Sequence, residues 1–154
     1  MTLKPEHLTV VIDTREKAPL VFSKLKTMPG TLKTGDYSVL GLEKKICVER
    51  KSISDLLMCV GRERERFDEE LHRMLAYEAR CIVVEGTRAS CIAGTPRSKL
   101  HPNAIEGSLI GWEGKIHIEF AETPTQAARY VGWFLWLHAK RRYAELAEFR
   151  KGMK

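Results

Sequence analysis

An α/β fold, with helices flanking a mixed central sheet, is what this chain predicts, and three observations lead to it. Apolar runs of strand length at 8–13 and 81–84 alternate with segments of helix length. Between them lie two runs with apolar residues at alternate positions, Tyr37/Val39 and Ile46/Val48, separated by Gly41, which reads as a β-hairpin. At 154 residues and 44% apolar content, the chain has the size of one domain, 1–154, able to bury a core of its own. It shows no internal repeat, low-complexity segment or linker.

The elements follow in order. Residues 8–13 form a first strand, a continuous apolar run that ends on Asp13, while Val21-Phe22 and 28–32 are less regular. In the hairpin both apolar pairs face one core. Directly opposed residues of antiparallel strands share a face, so Tyr37 pairs with Val48 and Val39 with Ile46. Ser52 caps a helix through Val60, with Asp55 at its third position, and Gly61 separates it from a second helix over 62–78. A buried strand at 81–84 stops at Glu85-Gly86. The stretch 87–101, holding Gly94 and Pro96, reads as a loop or short turn, after which Asn103 caps a helix to Trp112. Gly114 leads into a strand alternating through Ile116, Ile118 and Phe120, and Thr123-Pro124 opens a long final helix.

The hairpin register has a chemical consequence. It sets Asp36 opposite Glu49, and carboxylates directly across a ladder, with Cβ atoms about 4.5–5.5 Å apart, repel each other unless a cation lies between them. A divalent metal removes the conflict. Lys51 lies two residues past Glu49, on the same face, where its ammonium can hold a water or a phosphate oxygen. Arg50 points to the other face, its side chain away from the metal. Asp55 has two compatible readings: it caps the helix with Ser52, and it can orient Lys51 or bind a second metal through water. Singly, these residues pass as turn, solvated-strand and capping residues; together they point to a hydrolytic metal centre.

Gly35-Asp36-Tyr37 followed by Glu49-Arg50-Lys51 and Asp55 resembles the GD…ERKxxxD signature of the XPF-type structure-specific DNA endonucleases, a branch of the PD-(D/E)XK nuclease superfamily. Asp13-Thr14-Arg15-Glu16 resembles the D-x-R-E element of that family, and Gly61-Arg62 its glycine-arginine pair. The similarity runs from about Leu8 to Leu75 and more weakly to the final helix. It implies a restriction-endonuclease-like sheet and a DNA endonuclease that uses Mg²⁺, with Mn²⁺ as a substitute. The expected substrate is branched or single/double-strand junction DNA in repair, recombination or replication. Asp36, Glu49 and the Arg50 carbonyl would hold the metal, and Asp13 would complete the acidic cluster or a second metal position. Lys51 would position the attacking water or stabilise developing charge. Arg15 and Glu16 are carried over as supporting residues. Arg62, near the scissile phosphate, would contact DNA together with Arg50 and Arg66. The remainder of the mixed-sign run from Arg62 to Glu70, including an i,i+4 pair of Arg66 with Glu70, reads as solvated helix surface. The alternative is a catalytically inactive DNA-binding or partner-scaffolding module of the same fold, disfavoured because the acidic and ERK residues are intact. The family's tandem helix-hairpin-helix domain has no counterpart here, which leaves branch selectivity open.

The remaining features set the context. Twenty-six Lys and Arg against twenty Asp and Glu give a formal charge of +6, which favours a polyanionic partner such as DNA. Cys47, Cys59, Cys81 and Cys91 form no C-x-x-C pair and read as reduced core residues. His7, His72, His101, His117 and His138 lack ligand-like spacing, which argues against zinc. There is no secretion signal. The most apolar stretch, 130–137, is far shorter than the roughly 20 residues that cross a bilayer, so the expectation is a soluble cytoplasmic protein with no membrane partner, in the nucleoid or a host cytoplasm if microbial or phage. In the final helix Tyr130, Val131, Trp133, Phe134, Leu135, Trp136 and Leu137 are apolar almost all the way round. Such a helix is either deeply buried or shared with a partner, and a homodimer or nuclease partner through this helix is the expectation. The basic Lys140-Arg141-Arg142 that follows faces phosphate or solvent.

Overall fold

The computed structural model describes residues 2–154. Six strands form one sheet: β1 (Thr9–Asp13), β2 (Lys26–Gly30), β3 (Tyr37–Val39), β4 (Ile46–Ser52), β5 (Ala79–Glu85) and β6 (His117–Ala121). They lie in the order β2-β1-β3-β4-β5-β6, with β3 antiparallel to both neighbours and the outer pairs parallel. The sheet is mixed, as the element order implies. Its central strands are covered on both faces, which is why β5 reads as an unbroken apolar run: Cys81 and Val83 enter one core, Ile82 and Val84 the other.

The long α5 (Pro124–Gly152) covers the first face through Ala127, Ala128, Val131, Leu135 and Ala139. Four helices cover the second: α1 (Ile53–Val60), α2 (Arg64–Met74), α3 (Arg88–Ala93) and α4 (Pro102–Glu113). The hairpin sides came out as the alternation requires. Tyr37, Val39, Ile46 and Val48 all enter the α5 core, and Cys47 enters the other. Tyr37 pairs with Val48, and the Asp36 amide donates to the Val48 carbonyl at 2.8 Å. Regular pairing stops there. Toward the turn Ile46 is held instead by Leu42, whose carbonyl accepts its amide, and by Ser38, whose hydroxyl donates to the Ile46 carbonyl at 2.6 Å.

Four boundaries differ from the sequence reading. β2 is a strand where 28–32 looked irregular; it is an exposed edge strand, which tolerates Pro29 and needs no apolar alternation. α2 is shorter than 62–78 at both ends, because Arg62 and Glu63 belong to the turn after Gly61 and residues 75–78 form the turn into β5. α3 lies inside the expected loop, started by reciprocal capping between Thr87 and Ser90; Gly94 and Pro96 come only after it has ended. α4 is capped by the His101 ring, which accepts from the Asn103 amide at 3.1 Å, with Pro102 at its first position. By contrast, Ser52 caps α1 and Thr123 caps α5 as expected.

All four cysteines are buried free thiols. Among the described residues no helix is long and apolar enough to cross a membrane. α5 is buried on one side only: Trp133 and Leu137 are 56% and 53% exposed, while Tyr130, Phe134 and Trp136 pack partly against the core.

Candidate active site

The second face of the sheet, where β4 runs into α1, opens into a cleft of about 390 Å³ lined by Asp36, Glu49, Lys51, Asp55, Arg66 and Glu70 among others. The hairpin turns its chemistry toward this cleft because Asp36, Glu49 and Lys51 occupy the positions between residues committed to the α5 core. Gly35 makes the turn possible: its φ is +84°, and a Cβ there would lie 2.6 Å from the Cys47 sulfur.

Asp36 is tied across the hairpin, its Oδ2 accepting the Arg50 amide at 2.8 Å. Burial nevertheless pushes its carboxyl up to about 6, with Glu16 and Glu70 adding to the effect against that hydrogen bond and Lys51. Glu49 is pushed further, to about 9, by burial and then by the charges of Asp36 and Glu70. For Lys51 burial acts downward, but Glu49 and Glu70 outweigh it and hold the ammonium above its ordinary value. Its Nζ lies 3.4 Å from Glu49 Oε1, 3.9 Å from Glu70 Oε2 and 5.2 Å from the centre of the Phe67 ring.

Glu70 was assigned to the solvated face of its helix, and the structure corrects this. It faces Glu49 in the cleft, and its Oε1 is buried with no donor. The signal was present in the spacing, since Phe67, Leu71 and Met74 form the buried stripe of α2 and position 70 falls within it. Arg66 pairs with Glu63 at 3.9 Å rather than with Glu70, and its side chain is 84% exposed over the cleft.

The other anticipated residues separate. Asp13 is engaged at both oxygens: Oδ1 accepts the Leu32 amide at 2.9 Å, and Oδ2 accepts the Arg15 amide and, at 2.7 Å, its Nε. It is not part of the cleft lining but holds Arg15, which is, and whose guanidinium also donates to the Leu32 carbonyl at 3.0 Å. Arg50 turns away as expected. Its guanidinium donates to Glu85 at 2.6 Å and to the Ala18 carbonyl and lies 3.6 Å from Glu16, so it clamps the segment after β1 to the end of β5. Tyr37 extends that clamp, accepting the Leu20 amide at 2.9 Å and donating to Glu16 at 3.1 Å. Asp55 lines the cleft, and Ser52 accepts its amide at 3.1 Å, but the ion-pair partners of Lys51 are Glu49 and Glu70. Arg62 lies in the turn against the Met58 sulfur, outside the cleft lining.

The donor set suits a hard divalent cation. Asp36, just before β3, and Glu49, on the adjacent β4, offer carboxyl oxygens whose pKa burial pushes above the ordinary carboxylate range, the condition a dication would relieve. Among the described residues no three or more His, Cys, Asp or Glu side chains are already drawn into a cage, so the fit rests on Asp36 and Glu49 as a pair.

Comparison with known proteins bears on the family and the fold. XPF from Aeropyrum pernix is similar in structure, with a TM-score of 0.68 and 23% identity over 84% of this chain and 61% of that one. XPF from Aeropyrum pernix in complex with DNA is similar at a TM-score of 0.67 and 22% identity, over 86% of this chain and 66% of that one. The chain thus spans less than two thirds of either structure, and at these identities the likeness is one of fold. No curated protein sequence matches the chain. The ERCC4 domain model, however, matches residues 12–133, a span that holds both β4 and the cleft. The chain therefore belongs to the ERCC4 domain family and has the fold of an XPF-type nuclease domain.

Proposed function

We propose that this chain is a divalent-metal-dependent DNA endonuclease that hydrolyses phosphodiester bonds at branched or junction DNA. The observation that carries this reading is the convergence of Asp36, Glu49 and Lys51 in one cleft, with both carboxyls pushed up by burial. Family membership, a fold shared with an XPF structure that contains DNA, and a charge of +6 support it.

Asp36 and Glu49, with the Arg50 carbonyl, would hold Mg²⁺. When bound, that ion would polarise a phosphoryl oxygen and lower the pKa of a coordinated water. The remaining work belongs to the chain. Lys51, kept charged by two acids, presents an ammonium to a phosphate oxygen or to the attacking water. Arg15, aimed by Asp13, and the exposed Arg66 offer guanidinium groups to the phosphate backbone at the rim. Arg50 and Tyr37 keep the segment after β1 in place beside β4. The half-exposed Trp133 and Leu137 on α5 support a homodimer through that helix, away from the cleft.

Incubation with 5′-labelled flap, fork, bubble and plain duplex DNAs in Mg²⁺, Mn²⁺ or EDTA tests the reading. Cleavage with either metal, its loss in EDTA and a preference for the branched substrates are expected. Binding without cleavage on every substrate would instead make the chain a DNA-binding module.

A further inference from the structure

The Lys51 side chain is only 11% exposed, and its ion-pair partners are Glu49 and Glu70. An ammonium so removed from water needs a nearby anion. If Glu49 is committed to a dication, as the proposed function requires, its charge no longer offsets Lys51 in full, and a bare ammonium beside the dication would oppose metal binding. Glu70 is the remaining partner. It comes from α2, not from the sheet, and α2 is anchored by Phe67, whose ring meets Trp112 edge-on at 4.7 Å. Its place is therefore independent of the hairpin that carries the ligands. We propose that Glu70 is a positioning residue that takes over the charge of Lys51 when Asp36 and Glu49 hold a divalent cation, and so both permits cation binding and keeps the ammonium at the cleft.

A different role, direct ligation by Glu70, is separable. The experiment measures Mn²⁺ binding calorimetrically to the metal-free protein without DNA at pH 8, for the parent, Glu70→Gln, Glu70→Asp, Lys51→Met and the Lys51→Met/Glu70→Gln pair, with circular dichroism to verify folding. Glu70→Gln should weaken Mn²⁺ binding about tenfold, Glu70→Asp should stay within about threefold of the parent, and the double variant should return to within about threefold of Lys51→Met. Glu70→Gln should also lower kcat for cleavage with little change in KM for DNA, a split that general loss of structure would not produce. A Glu70→Gln protein that binds Mn²⁺ like the parent overturns the inference. A double variant as weak as Glu70→Gln overturns it too, because Glu70 is then a ligand. Failure of the parent itself to bind Mn²⁺, or full binding by Asp36→Asn, would instead overturn the metal-site reading on which the inference rests.

Discussion

Asp13 and Asp36 stand side by side on one face of the sheet, the Asp13 amide donating to the Asp36 carbonyl at 2.9 Å, yet the protein treats the two carboxylates in opposite ways. Around Asp13 a buried carboxylate receives three donors, from Leu32 and Arg15, and these outweigh burial to leave its carboxyl below the ordinary value. Around Asp36 there is one backbone donor and a group of acids, and the carboxyl rises. The residue type is the same, and the supply of donors decides the role. A saturated carboxylate can aim Arg15 but has little left for a cation, whereas an undersupplied one gains by binding it.

The largest effect expected from this contrast is on turnover. Asp36→Asn, Glu49→Gln and Lys51→Ala should each reduce cleavage by about a thousandfold or more with DNA affinity nearly intact, while Asp13→Asn, acting only through Arg15, should lose about tenfold, mainly through KM. Single-turnover cleavage and DNA-binding assays measure both. Equal losses at Asp13 and Asp36 would break the contrast.

Stability should move the other way. Asp13→Asn leaves buried donors mismatched and should cost about 1–3 kcal/mol in urea unfolding, whereas Glu49→Gln removes a carboxyl that must take up a proton on folding at neutral pH and should raise metal-free stability there by about 1–2 kcal/mol. The pH dependence follows from the direction of each shift. Asp36 and Glu49 sit above their ordinary values, so their favourable contribution is complete below about pH 4 and is lost as pH rises through about 6 and then about 9. Asp13 sits below its ordinary value, so its contribution is present above that value and is lost as pH falls through the lowered one. The metal-free melting temperature should therefore decline between pH 5 and 9, and Glu49→Gln should flatten that decline.

The smallest expected effect lies away from both acids. Charged replacements of the exposed Trp133 and Leu137 should convert a dimer to a soluble monomer by light scattering and lower activity about tenfold or less, through weaker DNA binding alone. A parent that is already monomeric at tens of micromolar would remove this prediction without touching the contrast.

What the sequence disclosed divides along the same line. The Tyr37–Val48 pairing, and with it the facing of Asp36, Glu49 and Lys51, follows from period-two alternation and needs no knowledge beyond the hairpin. So does the Ser52 cap that ends β4 and starts α1. The bonds that hold Asp13 were not legible, because one of them comes from the Leu32 amide, nineteen residues away, which no local pattern announces. Glu70 was misjudged because a mixed-charge helix looks solvated until its buried stripe is phased, and the phase of α2 is set by Phe67 against Trp112, a contact distant in sequence. Strand β2 was missed because an exposed edge carries no apolar alternation, and α3 because its cap precedes the breakers that drew attention.

Anomalous diffraction from crystals soaked in Mn²⁺ tests the division between the two acids most directly. A peak bound by the carboxylates of Asp36 and Glu49, with Asp13 still bonded to Arg15 and Leu32, is the expected result. A peak ligated by Asp13, or no peak between Asp36 and Glu49 at saturating Mn²⁺, would contradict it.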